Sequence, residues 1–145
     1  MTTHLFRAVA LAIGLGLLGC GSKSADERSA TVTGKVTLAN GKPLPGGTIN
    51  FRSTTAAHRL GVGEIGADGT YEATNVPQGP CKVFIDNSHL KPVDKSSGYV
   101  PPAGGKQPLP GTKYVPIPHK YTSENTTDLT TTVTGDAATF NAELK

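Results

Sequence analysis

The sequence predicts an all-β domain, a seven-stranded antiparallel β-sandwich. Three observations lead there. Nineteen of the 145 residues are threonine, a residue that favours strands over helices. Gly (18) and Pro (11) are frequent enough to punctuate a chain of short strands. Beyond Ala30, apolar and polar residues alternate with a period of two in one segment after another. The length fits one domain, and 36% apolar residues suffice for a core, though Trp is absent and aromatics are only 6%. A scattered net charge of +3 is no footprint for nucleic acid. A helical bundle, a polytopic membrane protein and a two-domain enzyme are thereby excluded.

The chain opens with Met1 to Arg7, which carries His4 and Arg7 and no acid, followed by an unbroken apolar run of twelve, Ala8 to Gly19. Twelve residues suit the core of a signal peptide and fall short of the ~20 that span a bilayer. The run ends Leu17-Leu18-Gly19-Cys20 and turns polar at once in Gly21-Ser22-Lys23-Ser24. This resembles a bacterial lipoprotein signal, whose lipobox closes on a small residue and an obligatory cysteine. The resemblance implies a signal peptide over residues 1–19, cleavage between Gly19 and Cys20, a diacylglyceryl thioether on Cys20 and an acylated amino terminus. Several chains, at ~0.8 kcal/mol per buried CH₂, hold far more firmly than one. With Gly21 rather than Asp after the cysteine, the same resemblance favours the outer membrane. The mature chain would keep 13 basic and 11 acidic residues, a balance of +2. Residues 20–30 then read as lipidated cysteine and tether, since Ser22 to Ala30 is small, polar and aperiodic. About ten such residues reach ~17 Å.

The folded part is expected over residues 31–145. Val32, Gly34, Val36 and Leu38 share one face of a first strand, and Asn40-Gly41 supplies a tight hairpin turn. Pro43 to Gly47 leads into a second strand, Thr48 to Arg52, with Ile49 and Phe51 inward. Leu60 to Ile65 and Thr70 to Thr74 flank an Asp68-Gly69 hairpin. Asn75 to Pro80 reads as a loop, and Cys81 to Asp86 as a strand with Cys81, Val83 and Ile85 in register. Seven of the eleven prolines fall between Asn87 and Asn125. Lys91 to Gly111 is therefore expected to be an irregular insertion, and Tyr114 to Tyr121 an ordered crossing segment. Strands resume at Thr127 to Thr134 and Thr139 to Leu144; a short helix from Asp136 is the alternative for the last, because Phe140 and Leu144 also stand four apart.

Several of these segments together carry a resemblance. Val32-Thr33-Gly34-Lys35-Val36-Thr37 with Asn40 to Phe51 looks like the opening of a carboxypeptidase regulatory-like domain. Asp68-Gly69-Thr70-Tyr71, Val76-Pro77-Gln78-Gly79 and Cys81-Lys82-Val83 resemble its later pattern. Pro116 to Tyr121 followed by Leu129-Thr130 is similar to the close of small bacterial lipoproteins built on it. The resemblance implies a transthyretin-like (prealbumin-like) seven-stranded sandwich. In carboxypeptidases that domain is an accessory to a catalytic one.

Candidate chemistry is sparse. With Cys20 acylated, Cys81 is unpaired and reads as a small buried hydrophobe; a Cys20–Cys81 disulfide is the fallback if the lipobox reading fails. His58, His89 and His119 show no HExxH or H-x-H spacing, and zinc needs three or four converging ligands. Tyr114, His119 and Tyr121 raise the comparison with sandwich-fold intradiol dioxygenases, which hold ferric iron through two tyrosines and two histidines, but the histidine pair is missing. Hydroxyisourate hydrolase, a transthyretin relative, ends in Y-R-G-S where this chain ends Ala142-Glu143-Leu144-Lys145. Asp86-Asn87-Ser88 lacks the further acids of a calcium loop and reads as a turn satisfying its own backbone. No metal or cofactor is expected.

The expectation is a non-catalytic, lipid-anchored protein of the cell envelope. It would present one sandwich to the periplasm or exterior for adhesion, protein or glycan recognition, or envelope structure. Its contacts are the membrane, through Cys20, and an unidentified envelope protein or glycan. Tyr99, Tyr114 and His119 are the candidate ligand contacts, because loops on a rigid scaffold carry function. The alternative is a small envelope enzyme or metal-binding protein using His119 with Tyr114 or Tyr121. A third reading, a subunit of a larger assembly, leaves the oligomeric state open.

Overall fold

The computed structural model describes residues 28–56, 59–92 and 108–145. The Ala8–Gly19 run, Cys20, His58, Tyr99 and most of the expected 91–111 insertion lie outside the described residues. Eight strands are found among those described: β1 (Ser29–Leu38), β2 (Gly47–Ser53), β3 (Leu60–Ile65), β4 (Thr70–Pro77), β5 (Gly79–Asp86), β6 (Thr130–Val133), β7 (Ala137–Thr139) and β8 (Ala142–Leu144). Two 3₁₀ segments, Ser88–Leu90 and His119–Thr122, complete the elements among the described residues.

The alternation works as expected. Val32 and Val36 of β1, Ile49 and Phe51 of β2, and Cys81, Val83 and Ile85 of β5 are all buried. Burying one such aliphatic or aromatic side chain contributes ~1.5–3 kcal/mol. Phe51 sits at the centre, with ring centroids 6.1 Å from Tyr71 and 6.0 Å, edge-on, from Phe140. The Asp68-Gly69 turn joins β3 to β4, with Gly69 at φ +80° and the Asp68 carboxylate accepting from the Thr70 backbone N–H and hydroxyl.

The connectivity departs from a seven-stranded antiparallel sandwich in three ways. First, the strands form one continuous ladder in the order β6-β5-β2-β3-β4-β1-β7, with β8 also on β1, so the sheet is mixed and nearly closed into a barrel. The parallel pairs are β1 with β7 (Thr31 opposite Ala137) and β1 with β8 (Val36 opposite Ala142). Second, the expected last strand is two strands, broken at Phe140-Asn141, and the helix alternative is not adopted. Ala142 and Leu144 are buried as neighbours two apart on a strand, and Phe140 packs against the core. Third, Asn75 to Pro80 is not a loop. β4 runs through Pro77, and Thr74 and Asn75 together oppose Thr31, a β-bulge with Asn75 at φ +56°. The bulge absorbs an extra residue and returns Val76 to the core, fully buried.

Smaller corrections follow the same logic. At Asn40-Gly41 only Gly41 takes a positive φ, and the turn folds back a short stub (Leu38 N–H to Lys42 O, Leu44 N–H to Val36 O) rather than pairing β1 with β2. β1 takes in Ser29 and Ala30, and the Gln78 N–H donates to Arg28 O. β6 is shorter than Thr127 to Thr134 because Thr127 turns its hydroxyl onto Val83 O at 2.6 Å.

The ladder gives the domain two distinct poles. Ser29 pairs with Pro77, and Gly79 pairs with Val133, so the chain enters beside the β4–β5 and β6–β7 connections. Gln78 fastens this pole, its Nε2 donating to Gly135 O at 2.7 Å. At the other pole β1, β3, β5 and β8 end and β2 and β4 begin. Asp86 lies there, seven residues along β5 from Gly79 and so ~23 Å away.

Candidate functional site

The far pole carries a cleft of about 340 Å³. Its base is the end of β5. The Asp86 carboxylate accepts from the Ser88 backbone N–H at 2.8 Å, closing the self-satisfying turn expected of Asp86-Asn87-Ser88. Leu90 N–H then donates to Asn87 O at 3.1 Å and sets the 3₁₀ turn. Asn87 is buried, and its Nδ2 donates to Val115 O at 2.6 Å. That bond pins the proline-rich segment 112–118 against β5, and Lys113 N–H to Pro45 O at 2.6 Å pins its start to the loop before β2.

That loop is Pro43-Leu44-Pro45-Gly46-Gly47, and its glycines have a physical reason. Gly46 (φ +136°) and Gly47 (φ +121°) adopt backbone closed to L side chains. A Cβ on Gly46 would stand 2.7 Å from both Leu90 Cδ1 and Thr112 Cβ, and one on Gly47 2.9 Å from Asn87 Cβ. The glycine pair lets both walls of the cleft approach the β2 entry.

The crossing segment supplies the opposite wall: Tyr114, Ile117, His119 and Thr122, facing Ser88 and Lys91. Lys91 Nζ stands 5.6 Å from the Tyr114 ring centroid, a cation–π arrangement. His119 opens the 3₁₀ helix after Pro118, and Thr122 Oγ1 donates to His119 O at 2.8 Å. Partial burial pushes the Asp86 carboxyl up, but hydrogen bonds from the Ser88 side chain and backbone, with His89 and Lys91 nearby, outweigh it and hold the group below the usual carboxylate range. The cleft therefore presents an ionised acceptor, a cation, an imidazole, a phenol and hydroxyls around one aliphatic side chain.

Two of the three expected ligand contacts, Tyr114 and His119, line this one cleft; Tyr99 lies outside the described residues. Tyr121 does not line it. Its ring is buried, its hydroxyl donates to Lys145 O at 3.1 Å and accepts from Lys145 N–H at 3.0 Å, and Lys120 Nζ stands 4.5 Å from its centroid. Tyr121 thus fastens the end of β8, and a cation already covers its ring. His89 is exposed on the 88–90 turn. Among the described residues no three His, Cys, Asp or Glu side chains converge as a metal centre would require. Cys81 is buried with Sγ 3.4 Å from Pro77 O, and burial pushes its thiol up, away from nucleophilic character.

A second anchor holds the 3₁₀ helix in place: Arg52 Nε pairs with Glu124 Oε2 at 2.7 Å and Lys82 Nζ donates to Glu124 O at 3.1 Å. Asp86, Ser88 and Thr122 were not legible as cleft residues. Their one signal was the proximity of Asp86-Asn87-Ser88 to the proline-rich stretch. No protein-family model, no curated protein and no solved structure matches this chain.

Proposed function

We propose that this chain is a lipid-anchored protein of the cell envelope that works by recognition, its domain a divergent member of the carboxypeptidase regulatory-like, transthyretin-like group. The observation that carries the reading is the polarity of the domain. The chain enters β1 at one pole, and the cleft opens at the other, where β5 ends. An anchor at Cys20, eight residues before Arg28, would hold the entry pole towards the membrane and leave the cleft facing away. The family reading rests on the sequence motifs; Asp68-Gly69 turns β3 into β4 as that pattern expects, whereas Val76-Pro77-Gln78-Gly79 is strand on both sides of Gln78 instead of a loop. The eighth strand and the parallel pairs on β1 are departures to be explained by divergence.

The test is cross-linking of the full chain in its native envelope, with Cys20→Ser as control and mass spectrometry of the products. A dominant partner captured through Lys91 or Lys113, at the cleft pole, and lost with Cys20→Ser, supports the reading. A Cys20→Ser protein that stays fully membrane-bound overturns the anchor. Self-links alone would point to a subunit of an assembly and overturn the recognition role.

A further inference from the structure

Building on the recognition reading above, we propose that the far-pole cleft binds a neutral saccharide. At about 340 Å³ the cleft lies at the small end of the ~300–1,000 Å³ range of ligand sites, room for a short sugar unit rather than a folded peptide motif. Its chemistry narrows the class further. An acyl chain or an apolar peptide anchor needs an apolar enclosure, and only Ile117 and the Tyr114 ring offer one. A phosphorylated ligand would meet the Asp86 carboxylate, and a bare cation would meet Lys91. A sugar hydroxyl is donor and acceptor at once, so it needs both kinds of partner side by side. Asp86 offers its remaining oxygen lone pairs, Lys91 and His119 offer N–H donors, the Tyr114 hydroxyl serves either way, and the Ser88 hydroxyl, already donating to Asp86, is left as an acceptor. Ile117 and the Tyr114 ring, which Lys91 Nζ approaches only to 5.6 Å of its centroid, supply the apolar surface that the C–H face of a pyranose ring covers.

The walls are set before any ligand arrives. Asn87 to Val115, Lys113 to Pro45 and Arg52 to Glu124 fix the three pieces that form them. A site held this way loses little ordering entropy on binding, which is what a weakly interacting polar ligand requires.

The experiment uses the full chain in a zwitterionic detergent, since glycoside detergents would compete. Glucose, galactose, N-acetylglucosamine and their disaccharides are titrated by saturation-transfer NMR, with inorganic phosphate and glycylglycine as comparators. The expected result is saturation by at least one sugar with Kd near ~1 mM or below. Asp86→Asn and Tyr114→Ala should each weaken it about tenfold, the loss of one hydrogen bond to a charged group or one stacking surface. Glu72→Gln, exposed on β4, should leave it unchanged. Lys91→Ala, at an exposed position, is the second variant should either of the first two melt early. Sugar binding that survives all three cleft variants overturns the site; preferential saturation by phosphate or glycylglycine, or none by any sugar, overturns the ligand class. Partner capture through Lys91 or Lys113 without sugar binding would sink this proposal and leave the recognition reading standing, whereas failure of both experiments sinks both.

Discussion

Gly34→Ala is the sharpest perturbation the fold offers. Gly34 lies in the middle of β1, where the chain between β7 and β8 passes over it. A Cβ there would stand 1.9 Å from Phe140 O, 2.7 Å from Phe140 C and 3.0 Å from the Tyr71 hydroxyl. Ordinary contact begins at 3.4 Å, so the Phe140 carbonyl must retreat by about 1.5 Å. That carbonyl accepts from Tyr71 Oη at 2.5 Å, and the Phe140 N–H donates to Thr33 O at 2.9 Å. The first ties the C-terminal segment to β4 and the second ties it to β1. Overpacking of this kind costs ~1–3 kcal/mol, and a hydrogen bond opened at a buried phenol ~1–3 more. Relief of glycine's backbone entropy returns only ~0.5–1 kcal/mol. The net loss is ~1–5 kcal/mol, with ~3 at the middle, a large share of the ~5–15 that holds a domain together. With ~3 kcal/mol lost and m near ~2 kcal/mol/M, the urea midpoint should fall by about 1.5 M. Near-UV circular dichroism is the assay, because the chain has no Trp and Tyr71 and Tyr121 are buried. Tyr71→Phe should lose about 1–2 kcal/mol, and the double variant less than the sum, since both act on one carbonyl. A Gly34→Ala protein within about 0.5 kcal/mol of the parent would refute the crossing at this position.

Further expectations concern other parts of the molecule. Tyr121→Phe removes both bonds to Lys145 and should cost about 1–2 kcal/mol, with amide exchange at Leu144 and Lys145 accelerating; unchanged exchange would refute the fastening role. Cys81 should resist iodoacetamide at neutral pH in the native state and react after denaturant is added, because burial both covers the thiol and raises its pKa; prompt native labelling would contradict its place in the core. The folded-state pKa of Asp86 lies below its unfolded value, so its contribution to stability is present in full above about pH 5 and is lost as pH falls through the folded pKa. Asp86→Asn should flatten that part of the acid limb, and an identical acid limb would count against the ionised turn. Glu64 and Glu72 stand directly opposite on β3 and β4, so Glu72→Lys should raise stability by about 0.2–1 kcal/mol at low salt, read as a higher melting temperature that salt erodes.

What was readable beforehand follows from how far apart the cause and the effect lie in the chain. Ile49 and Phe51, or Cys81, Val83 and Ile85, announce their buried face by local alternation, and Asp68-Gly69 announces its turn by two adjacent residues. The parallel pairing of β1 with β7 and β8 leaves no local mark. Gly34 fits the inward face of an ordinary strand, and nothing near it in sequence shows that the Phe140 carbonyl will press against it. Asn75 reads as loop chemistry because asparagine tolerates positive φ, and that same tolerance is what a bulge uses. The cleft divides similarly. Tyr114 and His119 stand out in the sequence as side chains capable of chemistry on a proline-stiffened segment. Asp86 and Ser88 carry in sequence only the signature of a turn, and they form that turn as well. Their second role depends on Asn87 reaching Val115, 28 residues on.

The pairing of the first strand with the last sets the order in which this molecule can be finished. A ribosome delivers β1 first, and its partners on one side, β7 and β8, last; the Thr37 hydroxyl waits for the carbonyl of Ala142, 105 residues later. Until then one edge of β1 has unmet N–H and C=O groups, and Phe51 and Tyr71 lack the Phe140 ring and carbonyl that cover them. A chain cut short by even nine residues would leave that edge open and Tyr121 without Lys145. The domain therefore closes only once residues 137–144 are in place, and until then the open edge of β1 is free to pair with another strand.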